Sequence, residues 1–147
     1  MKNRFAKGIE VRKSKSWLQT IVAPVLMVFY LGALAFLCFG QFDSLPEVST
    51  DFFGIPTDKI VHFCMFFPFP ILAYATFVHK TKGRWVSAFQ LIGIYIAGCI
   101  LGILTEIGQG LTDYRSWDIN DFRADALGMA LSSIIIIIID TIRRSGK

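Results

Sequence analysis

The sequence predicts an all-α membrane protein: four transmembrane helices in an antiparallel bundle, with both termini in the cytoplasm. Three observations carry this. Hydrophobic residues make up 54% of the 147 positions, with 14 phenylalanines, and the mean hydropathy of +0.55 exceeds ordinary globular usage. Four apolar runs, at about residues 17–39, 60–78, 85–104 and 126–142, come close to the roughly 20 residues a helix needs to cross about 30 Å of hydrocarbon. The charge is also sorted. Twelve of the 15 Lys and Arg fall in Lys2–Lys15, Lys80–Arg84 and Arg143–Lys147. Nine of the 11 acids fall in the other two connections and their margins. By the positive-inside rule the basic connections are cytoplasmic and the acidic ones face outward. The net charge of +4 therefore marks topology and anionic-lipid contact, and argues against nucleic acid.

Residues 1–16 carry six Lys/Arg against Glu10 and read as a basic cytoplasmic tail. The first span, Trp17 to Phe39, has no charge and tolerates Pro24, as membrane helices do. A cleaved signal peptide would have a shorter apolar core and a small-x-small site after it. Neither is present, so a retained helix is expected. Gly40 to Thr57 is a loop holding Asp43, Glu47 and Asp51 with Pro46, Gly54 and Pro56 as breakers. The second span contains Pro68 and Pro70, which remove backbone donors and should kink it. His79 to Arg84 is a basic turn between the second and third spans. The fourth span holds six consecutive isoleucines, Ile134–Ile139. A lone strand in lipid would leave its backbone groups unpaired, so the run reads as helix. Residues 143–147 are a second basic tail. Cys38, Cys64 and Cys99 lie inside apolar runs, where packing explains them better than a Cys38–Cys64 disulfide.

The organising stretch is TEIGQGLTDYRSWDINDFRADALG, Thr105 to Gly128, polar between two lipid-compatible runs. Ionisable residues at the margin of hydrocarbon are expensive and mark functional sites by default. At about 100° per residue, Gly98, Gly102, Glu106 and Gln109 share one sector of the third span. Asp118, Asp121, Asp125, Gly128 and Ser132 share one sector around the fourth, with Ala124 at its edge. Asp58 and His62 are one turn apart at the start of the second. These stripes should face the bundle and converge near its outer end. Candidate ligand-binding residues are thus Asp58, His62, Glu106, Gln109, Arg115, Asp118, Asp121 and Asp125. Capping explains any one of Asp58, Asp118 and Asp121, since acids are favoured at helix N-termini. Arg115 and Arg123 have a plain reading as their counter-ions. Glu106 resists that account. It sits near a helix C-terminus, where the dipole disfavours an anion, and needs a cation such as Arg115 or His62, or a proton.

The series Asp58-Lys-x-x-His62-Phe-x-x-Phe66, Glu106-x-x-Gln109 and Arg115-Ser-x-Asp118-x-x-Asp121-x-x-Ala124-Asp125-x-x-Gly128 resembles the VanZ-like family of small bacterial membrane proteins, over about residues 58–139. The resemblance implies a four-helix inner-membrane protein, in a family whose founding member is associated with resistance to teicoplanin-type glycopeptides. Two positions depart from the family pattern: Asp125 stands where members often carry Asn, and Ser132 replaces a common second Gly.

Two functions from different classes follow. The first is a non-enzymatic protein that binds a cell-wall precursor, an envelope lipid or a glycopeptide at the outer face. The second is a membrane-embedded hydrolase or transferase acting on a lipid-linked or phosphorylated substrate. There Glu106 or His62 would be general acid or base and Arg115 an anion clamp, with Asp118, Asp121 and Asp125 as candidate ligands for a divalent cation, Mg or Mn before zinc. Transport through an oligomer is a third. The first is the expected one.

Overall fold

The computed structural model describes residues 17–40, 54, 56–78, 84–112 and 117–145. Among them every regular element is helical. A π-helical turn, Leu18–Val22, leads into α1 (Ala23–Phe39). Pro24 follows directly; its ring would crowd the carbonyl four residues back, and the wider turn makes room. Then come α2 (Thr57–Phe66), α3 (Pro68–Phe77), α4 (Arg84–Gly110) and α5 (Ile119–Ser145).

The proline pair in the second span acts as its chemistry requires. Pro68 and Pro70 cannot donate to the carbonyls four residues earlier, so the hydrogen-bond ladder is interrupted. Phe67 nevertheless keeps helical dihedrals, and its N–H donates to the Phe63 carbonyl at 3.0 Å. α2 and α3 thereby remain one membrane-length segment, Thr57–Phe77. With Thr20–Phe39, Val86–Gly110 and Ile119–Ser145 it makes four helices long and apolar enough to cross a membrane. Their outward side chains are apolar as well: Phe29, Phe36, Phe89, Ile96, Leu104 and Ile134 are all exposed. This is the surface of a multi-pass membrane protein, whose outer side chains meet lipid rather than water.

The helices outrun the apolar runs. The third apolar run stops near residue 104 and the fourth begins near 126. α4 instead continues to Gly110, and α5 begins at Ile119 and reaches Ser145. A hydropathy window stops at the first charge. The backbone does not, provided the polar side chains turn inward. Glu106, Gln109 and Asp125 do so, each almost fully buried.

α5 packs on α2, α3 and α4, while α1 packs on α3 and α4. The core joins Met27, Leu34 and Cys38 of α1 to Phe66, Phe69, Ala73 and Met129. Tyr30 donates to the Met65 carbonyl at 2.7 Å and ties α1 to α2. Small residues set the approach of the helices. A methyl on Gly128 would collide with the Phe63 carbonyl oxygen, and one on Gly98 with Met129 and with the Phe69 ring at 2.9 Å. The isoleucine run is helical, and only Ile136 of its six is buried. All three cysteines are free thiols.

Candidate functional site

Four of the eight predicted residues turn out to face one another directly. His62 comes from the second turn of α2, Glu106 from the penultimate turn of α4, and Asp121 and Asp125 from the first two turns of α5. The arrangement exists because α2 and α5 touch along the Gly128–Phe63 contact, which brings the first turns of both helices together. His62, Glu106 and Asp125 are 4%, 1% and 0% exposed. The imidazole is held between carboxylates. Its Nδ1 lies 3.1 Å from Asp125 Oδ1 and 3.9 Å from Glu106 Oε1, and its Nε2 lies 3.6 Å from Asp121 Oδ2. Only the first is within hydrogen-bonding distance.

Glu106 resolves half of its problem locally: Oε2 accepts the Asp118 backbone N–H at 3.2 Å. Its Oε1 and the Asp125 Oδ2 are buried with no hydrogen-bond partner. Buried acceptors nearly always have partners. Two orphaned oxygens beside one imidazole are therefore the least satisfied point of the described residues, and the place where a donor or a cation would be most stabilised.

Beside this cluster the ammonium of Lys59 acts as a hub. It donates to Asp118 Oδ2 at 2.6 Å and Asp58 Oδ2 at 2.9 Å, and pairs with Asp121 Oδ1. Lys59 was not among the predicted site residues. Its sequence signal was present: it stands outside the three basic clusters and one turn from His62. Arg123, weighed as a counter-ion, instead donates to Asn120 Oδ1 at 3.1 Å on an exposed face. Arg115 lies outside the described residues.

Two further expectations change. Asp118, Asp121 and Asp125 were the candidate metal ligands, but Lys59 takes Asp118 and Asp121 to the rim. The carboxylate that groups with Asp125 is Glu106, and His62 completes the set. Gln109 does not face the pocket's open acceptors. It donates to the Cys38 carbonyl at 3.0 Å, satisfying one of the carbonyls that the end of α1 leaves free. It is a tie between helices.

The capping account holds for Asp118. Its Oδ1 accepts the Asn120 N–H at 2.8 Å, the geometry of an N-cap. The hydrogen bond from Lys59, with that from the Asn120 amide, holds the Asp118 carboxyl below its ordinary range. Asp58 bonds the amide and ammonium of its neighbour Lys59 and stays at the exposed edge.

At the far end of α5 a smaller polar group forms. Arg144 donates to Asp140 Oδ2 at 2.8 Å and to Ser87 at 2.9 Å, closing the start of α4 onto the end of α5. No family model, curated protein or solved structure matches this chain.

Proposed function

We propose that this is a VanZ-like protein of the bacterial inner membrane, with both termini cytoplasmic and an outward-facing site at His62, Glu106 and Asp125. The site binds the donor-bearing part of an envelope molecule, and by doing so lowers susceptibility to teicoplanin-type glycopeptides. An antiparallel bundle accords with Glu106 near the end of α4 meeting Asp118 before α5, while Arg144 near the end of α5 meets Ser87 near the start of α4. The positive-inside bias of the sequence then puts the acidic end outside.

The single observation that carries the binding reading is the pair of orphaned, buried oxygens, Glu106 Oε1 and Asp125 Oδ2. Acceptors without donors select hydroxyls and ammonium groups. Sugar hydroxyls and amines abound on cell-wall precursors, glycolipids and glycopeptides, whereas an unaccompanied phosphate would be repelled by the carboxylates. Lys59, with three carboxylates already around it, has little left to attract one. The test is glycopeptide susceptibility of cells making wild type, Glu106→Gln or Asp125→Asn at equal membrane abundance. Protection by wild type that both variants lose is expected. Protection retained by both overturns the site; no protection by wild type overturns the resistance role.

A second reading has one observation in its favour. His62 Nδ1 and Asp125 Oδ1 at 3.1 Å form a carboxylate-oriented imidazole, the arrangement of a general base. It would serve a hydrolase or transferase working on a lipid-linked substrate. Release of a soluble headgroup from labelled envelope lipids by wild type, absent in His62→Gln, would favour it over binding alone.

A further inference from the structure

We infer that His62, Glu106 and Asp125 form a three-ligand site for a divalent transition-metal ion, Zn2+ before Mg2+. This inference rests on the same buried oxygens as the proposed binding site, which an ion would satisfy in place of a ligand's donor. The ligand-capable atoms of the three residues all lie within 4.8 Å of one another. Around an ion with bonds of about 2.1 Å, neighbouring ligand atoms sit roughly 3–3.5 Å apart. His62 Nδ1 is already 3.1 Å from Asp125 Oδ1 and 3.9 Å from Glu106 Oε1, and the set as a whole, within 4.8 Å, closes in around the ion when it binds.

Three independent features agree with an ion there. The first is the orphaned oxygens, Glu106 Oε1 and Asp125 Oδ2, which are the acceptors a cation would satisfy. The second is charge. Two buried carboxylates and a neutral imidazole sum to the charge that one dication cancels, so the loaded site could lie at the margin of hydrocarbon without net charge. The third is the far side of the imidazole, where Nε2 faces Asp121 Oδ2 at 3.6 Å. Metal-bound histidines commonly hold a carboxylate on their other nitrogen, which fixes the tautomer and strengthens the donor.

The donor set decides the metal class. One imidazole with two carboxylates is poor in oxygens for Ca2+ and awkward for Mg2+, which prefers oxygen and keeps its waters. Three protein ligands leave one position open, as open zinc sites do, and the imidazole is the donor that suits Zn2+ over Mg2+. The open position would face the rim, where Asp121 is only partly buried.

The experiment uses the full chain, freed of any affinity tag, in detergent or nanodiscs. It is stripped with chelator, then equilibrated with a slight molar excess of Zn2+ and millimolar Mg2+, unbound metal is removed, and bound metal is counted by mass spectrometry. About one Zn2+ per chain is expected. His62→Gln and Asp125→Asn should weaken binding by ten-fold or more, Asp121→Asn by about 10–100-fold as an outer-carboxylate loss, and Asp140→Asn, at the other end of α5, not at all. Should a variant fail to elute as folded protein, the wild type decides on its own by Co2+ replacement. An intense visible band saturating at one Co2+ per chain supports the site; weak, unsaturating absorption overturns it. Zinc absent from wild type, or kept at full stoichiometry by folded Glu106→Gln and Asp125→Asn, also overturns it. None of these readings involves an antibiotic, so failure of the metal site and failure of the resistance role are told apart.

Discussion

At the scale of single residues, the rim hangs on Lys59. Its ammonium meets Asp58, Asp118 and Asp121, while its side chain is only 19% exposed. Lys59→Met leaves these acids facing one another at the edge of hydrocarbon. The expected cost lies between that of exposed and buried pairs, about 1–3 kcal/mol, and is read by thermal unfolding in detergent. Asp118 supplies a pH signature. Its folded carboxyl titrates below the ordinary value of about 3.9. Its contribution is therefore complete above that value and is lost as pH falls through the lower folded one. Asp118→Asn, which keeps the N-cap, should remove part of the acid-side loss of stability, so the variant's melting temperature should fall less than wild type's below about pH 4. Equal acid-side slopes would refute the pairing with Lys59.

At the scale of the element, what was legible in the sequence followed period and composition. The stripes Gly98–Gly102–Glu106–Gln109 and Asp118–Asp121–Asp125–Gly128–Ser132 were read from spacing alone, and all but Asp118 and Asp121, which are partly buried, are buried. Hydropathy alone would have cut both helices short, because it counts Glu106 and Asp125 as breaks while the folded chain hides them; the polar stripes carried the helices past those points. The use of Gln109 was not legible, since its partner is the Cys38 carbonyl, 71 residues away on α1. Lys59 was quoted in the motif, yet its three partners come from two different helix starts, a convergence that no window along the chain reports. The packing gives a paired prediction. Gly128→Ala forces a methyl against the Phe63 backbone and should destabilise by about 1–3 kcal/mol. Gly93→Ala meets nothing within 4 Å and should be neutral or stabilise by about 0.5–1 kcal/mol through helix propensity. Comparing the two melting curves checks that α2 and α5 approach at Gly128.

At the scale of the whole molecule, four membrane-length helices carry a dense polar cluster at one end and, among the described residues, a small ion-paired group at the other. Apolar packing holds the middle of the bundle. The proposed topology puts residues 143–147 and the basic turn at 79–84 in the cytoplasm. Reporter fusions at these positions should be active only with cytoplasmic reporters, and a fusion in the 113–116 connection only with a reporter of the outer side. The opposite pattern would reverse the site's orientation.

The central claim is that His62, Glu106 and Asp125 are held together for a ligand rather than for stability. Groups kept for function are usually a burden on the fold. The direct measurement is the apparent melting temperature of wild type and Glu106→Gln, purified in the same detergent with chelator present. Gln keeps an acceptor for the Asp118 amide and adds a donor toward the orphaned oxygen of Asp125, so the account predicts a melting temperature equal to or above that of wild type. A fall of about 5 °C or more, the size of a lost structural interaction of 1 kcal/mol or above, would show that Glu106 is helix glue and would contradict the account.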